Sequence, residues 1–120
     1  MSTNEENPDN EVRLRGTVSG AAEVRTLPSG DEVCVVRVVV PRATVRIRPD
    51  GRRGQSVDVI DCAAWEGRPR RSMRGWRDGD AVEVVGALRR RFFRSGGSTA
   101  SRVEVEVGSA RVLRRSAVVE

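Results

Sequence analysis

A chain of 120 residues has room for one domain with one modest core, which argues against a second independent unit. The formal charge of +5 hides an asymmetry: the first eleven residues hold Glu5, Glu6, Asp9 and Glu11 and no base, so the remainder sets 22 arginines and no lysine against 13 acids, a net +9. Such a charge draws a domain toward polyanions, while the lack of His and the lone pair Cys34 and Cys62 exclude a metal-site spacing or a disulfide framework.

Residues 1–10 are polar, with neither a basic start nor an apolar run, and read as a disordered arm rather than a leader. A cytoplasmic location with no membrane partner is expected, since no apolar stretch approaches membrane length. From Val12 the sequence alternates, Val12, Leu14, Gly16 and Val18 against Arg13, Arg15 and Thr17, which predicts a half-buried strand with a charged outer face. Pro28, Ser29 and Gly30 mark a tight turn. Residues 32–40 follow as a long strand with Cys34, Val36, Val38 and Val40 inward and Val33, Val35, Arg37 and Val39 outward, ended by Pro41. So apolar an outer face predicts that Val33, Val35 and Val39 meet another element or subunit.

Residues 42–55 carry Arg42, Arg46, Arg48, Arg52 and Arg53 together with Pro49 and Gly51, and read as a basic hairpin or loop reaching away from the core. The third strand, residues 57–64, turns Ile60, Cys62 and Ala64 inward and Val59, Asp61, Ala63 and Trp65 outward. The two cysteines read as reduced, inward-facing thiols, a link between them staying open if their strands are neighbours. Residues 70–74 suit a helical turn or two, with Trp76 structural where the chain returns to the sheet.

The segment 80–93, DAVEVVGALRRRFF, begins as a core strand with Val82, Val84 and Leu88 on one face. It ends with Arg89, Arg91 and Phe93 on the other, leaving Phe92 as the ring expected to be buried. After a turn at residues 95–97, Val103, Val105 and Val107 alternate with Glu104 and Glu106 in a last strand. Five strands with one short helix between the third and fourth describe an all-β OB-fold, a partly open five-stranded barrel. An arginine and aromatic surface on such a barrel suits an unstacked, anionic strand, because guanidinium groups attract phosphates and every base offers a ring to stack.

Four collinear motifs carry a resemblance to the bacterial single-stranded DNA-binding protein family: NEVRLRGTV at residues 10–18, EVRTLPSGDEV at 23–33, DVIDCAAW at 58–65 and WRDGDAVEVVGALRRRFF at 76–93. The resemblance implies that Trp65 and Phe93 occupy the places of base-stacking aromatics, and that the chain assembles as a homotetramer, with a dimer as the other symmetric option. It also exposes departures. Val59 stands where many members have Trp, Asp61 stands where a polar or basic residue is common, and VLRRSAVVE ends the sequence without the long linker and acidic tip through which such proteins recruit repair and replication enzymes. No tail-mediated recruitment is therefore expected.

These observations make residues 11–115 one OB-fold unit that binds and protects single-stranded DNA without regard to sequence in replication, recombination and repair, followed by a short end at 116–120. The expected nucleic-acid contacts are Trp65 and Phe93 for bases and Arg13, Arg15, Arg37, Arg46, Arg48, Arg52, Arg53, Arg89 and Arg91 for phosphates; the expected subunit contacts are Val33, Val35 and Val39. The alternatives are a tail-less docking subunit of a replication-restart or other nucleoprotein assembly, and an RNA-binding OB-fold. No cofactor or metal is expected, nor catalysis: Asp58 and Asp61 are not an arranged acid and base pair, and neither Cys has a basic neighbour to activate it.

Overall fold

Alternating valines make the strands, and glycines make the corners. The computed structural model describes residues 9–117, so most of the arm expected at 1–10 and the last three residues lie outside the described residues. Five strands, β1 (Val12–Thr26), β2 (Glu32–Pro41), β3 (Val57–Ala64), β4 (Ala81–Ser95) and β5 (Ser98–Arg114), close into a barrel in the order β1-β2-β3-β5-β4, with one helix, α1 (Gly67–Arg74), between β3 and β4. This is the expected OB-fold. Its thinnest seam is the parallel β3–β5 pair, registered only at Cys62↔Val105 and Ala63↔Glu106.

β1 is longer than the alternation predicts, because a register shift between Ser19 and Glu23 lets one strand serve two neighbours. Its first part pairs with β4 and its second with β2. Gly86 sits where β4 crosses closest to β5; a Cβ there would collide with the Glu106 carbonyl oxygen, so any side chain would push the two strands apart. Gly96 and Gly97, at φ 57° and 86°, form the two-residue turn joining β4 to β5, a mirror-image turn that L side chains resist and that matches the strand twist.

The core is built from small side chains, Val18, Val36, Val38, Val82, Val84 and Val105 among them, and closed by Met73 of α1 and by Trp76. Trp76 is thus structural, as expected. Cys34 and Cys62 are both buried and free on the adjacent strands β2 and β3, offset in register, with Cys34 opposite Ala64 and Cys62 opposite Val36. Burial pushes the Cys62 thiol up to about 12, which keeps it protonated. Asp80, 1% exposed, accepts hydrogen bonds from the backbone N–H of Arg77 (2.9 Å), the backbone N–H of Ser116 (2.8 Å) and Arg115 Nη1 (2.8 Å), and so clasps the end of the chain against the start of β4.

Two expectations about burial are corrected. Val33 was expected among the subunit contacts, yet it is 5% exposed within the single chain, so of the two options, another element or a subunit, it meets an element. Its end of β2 lies beneath chain leaving β3, where Arg70 of α1 donates to the carbonyls of Glu32 and Trp65. Phe92 was expected in the core, yet it is 70% exposed. Pairing of β4 with β1 stops at Gly86 and pairing of β3 with β5 covers only two positions, so beyond Leu88 the β4–β5 hairpin leaves the barrel and has no layer beneath it. Leu88 and Val103, about half exposed, share that uncovered face. Asn10, read as the last residue of the arm, is pinned there too: its side-chain amide pairs with both the N–H (2.8 Å) and the C=O (3.0 Å) of Leu88.

Candidate nucleic-acid interface

Alternation along β4 puts Arg89, Arg91 and Phe93 on the other face of the projecting hairpin, and the two-residue turn decides what lies beside them. Register sets Glu104 opposite Arg89, Arg102 opposite Arg91 and Ala100 opposite Phe93. The Arg91 guanidinium carbon stands 4.9 Å from the centroid of Trp65, which follows β3, and the Arg102 guanidinium carbon stands 5.4 Å from the centroid of Phe93. Each ring therefore has a cation over it at a distance that favours the charge–quadrupole attraction. Phe93 is 40% exposed. Trp65 is half-buried, with its indole N–H turned inward and unpaired within the protein.

Carboxylates tie this face together. Arg91 meets Glu104 at 3.3 Å and Glu106 at 3.0 Å, Arg89 meets Glu106 at 3.6 Å, and Asp61 lies 3.7 Å from Arg37 and 4.0 Å from Arg102. Asp61, read from the sequence as a repulsive departure, is the link that carries the face from the hairpin to β2. A cleft of about 350 Å³ opens beside Trp65 between Pro69, Ala87 and Arg89, and a second of about 330 Å³ runs from Arg102 past Asp61 and Arg37 to Arg25.

The structure thus gathers Trp65, Phe93, Arg37, Arg89 and Arg91 onto one surface. Arg13 and Arg15 lie elsewhere: with Arg111 they surround Glu83, at 3.5, 2.7 and 3.0 Å. Arg15 above all, and then Arg111, hold the Glu83 carboxyl down to about 2, although it is only 5% exposed and burial acts the other way. Glu83 and Arg91 are on the same side of β4 but about 26 Å apart along the strand at the usual rise per residue, so this cluster lies along the β4 row and not at the rings.

The remaining predicted arginines occupy an ordered arm. Residues 42–55 continue the β2–β3 hairpin outward, held by backbone bonds Arg42 N–H to Ser56 O (2.8 Å), Gly54 N–H to Arg46 O (2.7 Å) and Arg48 N–H to Arg52 O (2.8 Å). At its base Arg42 grips Asp58 through two nitrogens, at 2.8 and 3.0 Å. Among the described residues Arg46, Arg48 and Arg53 pair with no carboxylate, and Arg52 only grazes Asp50 at 3.9 Å. Sequence reading missed Arg102, Glu83, Glu104 and Glu106. The signal was available: counting back from a two-residue Gly-Gly turn aligns Arg102 with Arg91 and Glu104 with Arg89.

Known proteins share this fold. Residues 9–113 match the profile of a family described as the single-strand binding protein family. Among solved structures, the chain superimposes with a TM-score of 0.67 on a Plasmodium falciparum SSB in complex with ssDNA, at 15% identity over 89% of this chain and 95% of that one. It superimposes with a TM-score of 0.59 on a small single-stranded DNA-binding protein from Streptomyces coelicolor, at 17% identity over 87% of this chain and 94% of that one. At these identities the likeness is one of fold. No curated protein sequence matches.

Proposed function

The chain belongs to the single-strand binding protein family, and from that premise we propose how it holds its strand. Its function is sequence-independent binding and protection of single-stranded DNA, with no catalytic step. The strand crosses the hairpin face, where the Trp65–Arg91 and Phe93–Arg102 pairs serve as two platforms for bases, and Arg37 and Arg89 hold phosphate beside them. The basic arm bearing Arg46, Arg48, Arg52 and Arg53 gathers the backbone on one side. Arg13 and Arg15 extend the path along β4, their charge partly met by Glu83. Residues 11–115 act as one binding unit.

The observation that carries this reading is the pairing of a ring with a guanidinium twice on one face. Such platforms are tolerant of sequence because every base has a π face. The test is nuclease protection together with affinity for poly-dT and poly-dA. Both strands protected, at affinities within about ten-fold of each other, is the expected result; protection of one alone, or of neither, refutes it.

The family assembles as oligomers, and we infer a homotetramer for this chain, built as a pair of dimers, through the outer face of β2 and β3. Val35 and Val39 remain partly exposed there, and Val59, directly opposite Val39, is 55% exposed. Arg37, opposite Asp61, interrupts this row between Val35 and Val39, so the contact centres on the Val39–Val59 pair and leaves Arg37 to the strand; exposed apolar surface on a small barrel supports such a contact. Light scattering coupled to size exclusion tests it, a monomer mass being the refuting result. A location on the nucleoid follows from the same function.

A further inference from the structure

We propose that the bases of a bound strand stack on the guanidinium planes of Arg91 and Arg102, each backed by its aromatic ring, and not directly on the rings. The inference rests on the hairpin face being the single-strand interface. It starts from what already lies against the rings. The Arg91 guanidinium already lies over the half-buried Trp65 ring, whose indole N–H edge is buried, and the Arg102 guanidinium lies over Phe93.

Arg91 is itself fixed. Its Nε and Nη2 edges are engaged by Glu104 (3.3 Å) and Glu106 (3.0 Å), and Glu104 is 7% exposed. A phosphate reaching those same donors would have to displace two carboxylates, whereas the flat π face needs no displacement. Guanidinium is planar, delocalised and weakly hydrated, so it stacks on bases as well as on rings. Arg102 repeats the arrangement across the hairpin: it faces Arg91 in register, covers Phe93 at 5.4 Å and is steadied by Asp61 at 4.0 Å. The two rings then act as rigid supports that keep two cationic plates level. The carboxylates keep the plates oriented and cancel much of their charge. Arg91 and Arg102 therefore add base affinity while adding little to the salt dependence.

The test uses the full chain with a dT oligonucleotide and an abasic oligonucleotide of equal length, each titrated over a salt series. Arg91→Lys keeps the charge and removes the plane. The expected result is a loss of about 5- to 150-fold in dT affinity, the range of one stacking platform, with abasic affinity and salt slope unchanged in a protein that still unfolds cooperatively; Arg102→Lys should behave alike. Two results overturn the proposal and leave the single-strand reading standing. One is that Arg91→Lys binds dT as tightly as the parent with a deeper quench of tryptophan fluorescence, which means that bases stack on Trp65 itself. The other is an equal loss on dT and abasic strands, which makes Arg91 a phosphate contact. If the unaltered protein binds neither oligonucleotide, the interface reading itself fails.

Discussion

Replacing Arg46, Arg48, Arg52 and Arg53 by Gln should change how binding responds to salt more than it changes the protein. If Arg37, Arg89 and Arg91 and these four each neutralise one phosphate, the single-strand coefficient of about 0.7 per contact gives a log–log salt slope of about −5. Raising salt from 50 to 200 mM then weakens binding about 1,000-fold, against about 20-fold for the variant with a slope of about −2. Taking Arg91 out of the phosphate set, as the stacking proposal does, lowers both slopes by about 0.7 and leaves their difference of about 3 intact. The arm suits this experiment because its arginines are exposed and, Arg52 apart, free of acidic partners among the described residues, so no buried group is orphaned by the change. Thermal unfolding should therefore move by no more than about 0.5 kcal/mol. Fluorescence anisotropy of labelled dT at four salt concentrations supplies the slopes. A slope unchanged within about 0.5 would mean that the arm never reaches the strand, and the phosphate path would have to rest on the hairpin face and the β4 row alone.

Other perturbations separate assembly, stability and pH response. Val39→Glu should shift light-scattering mass toward smaller species with the barrel intact, whereas Val33→Ala should leave mass unchanged and cost about 2 kcal/mol in urea unfolding, because Val33 is buried within one chain. Asp80→Ala leaves the N–H groups of Arg77 and Ser116 and the Arg115 guanidinium without their shared acceptor and should cost about 3 kcal/mol, read by the same unfolding assay. The Glu83 carboxyl titrates at about 2 in the fold against 4.5 unperturbed, so its contribution is complete above about 4.5 and is lost as pH falls toward about 2. Glu83→Gln should flatten that part of the melting-temperature profile between pH 2 and 5; an unaltered acid limb would show that the arginine cluster adds nothing to stability.

The carboxylates explain why an arginine count overstates the charge available to DNA. Of the nine arginines singled out from the sequence, Arg13, Arg15, Arg37, Arg89 and Arg91 each lie within 4 Å of an acid, Arg52 only just does, and Arg46, Arg48 and Arg53 do not among the described residues. The first group is positioned by its partners and the second is held out by backbone alone. Oriented groups suit stacking and register; unpaired ones on an exposed arm suit long-range attraction.

Local chemistry determined a good deal on its own. Period-two alternation placed all five strands and their inward faces, Pro41 ended β2, the glycine pair at 96 and 97 turned the hairpin, and four collinear motifs carried the family resemblance. What alternation cannot supply is the layer that a face meets, because side-chain parity is a property of one strand and burial is a property of its neighbours. Val33 and Phe92 were misjudged for that one reason: the first lies under chain that returns from β3, and the second points from a hairpin that has outrun the barrel. The same limit hid the partners of each arginine. Arg91 could be read as a cation on a strand, and its β5 neighbours follow by counting back from the turn, but its place over Trp65 exists only once β3 is brought beside the β4–β5 hairpin, which local sequence cannot pair.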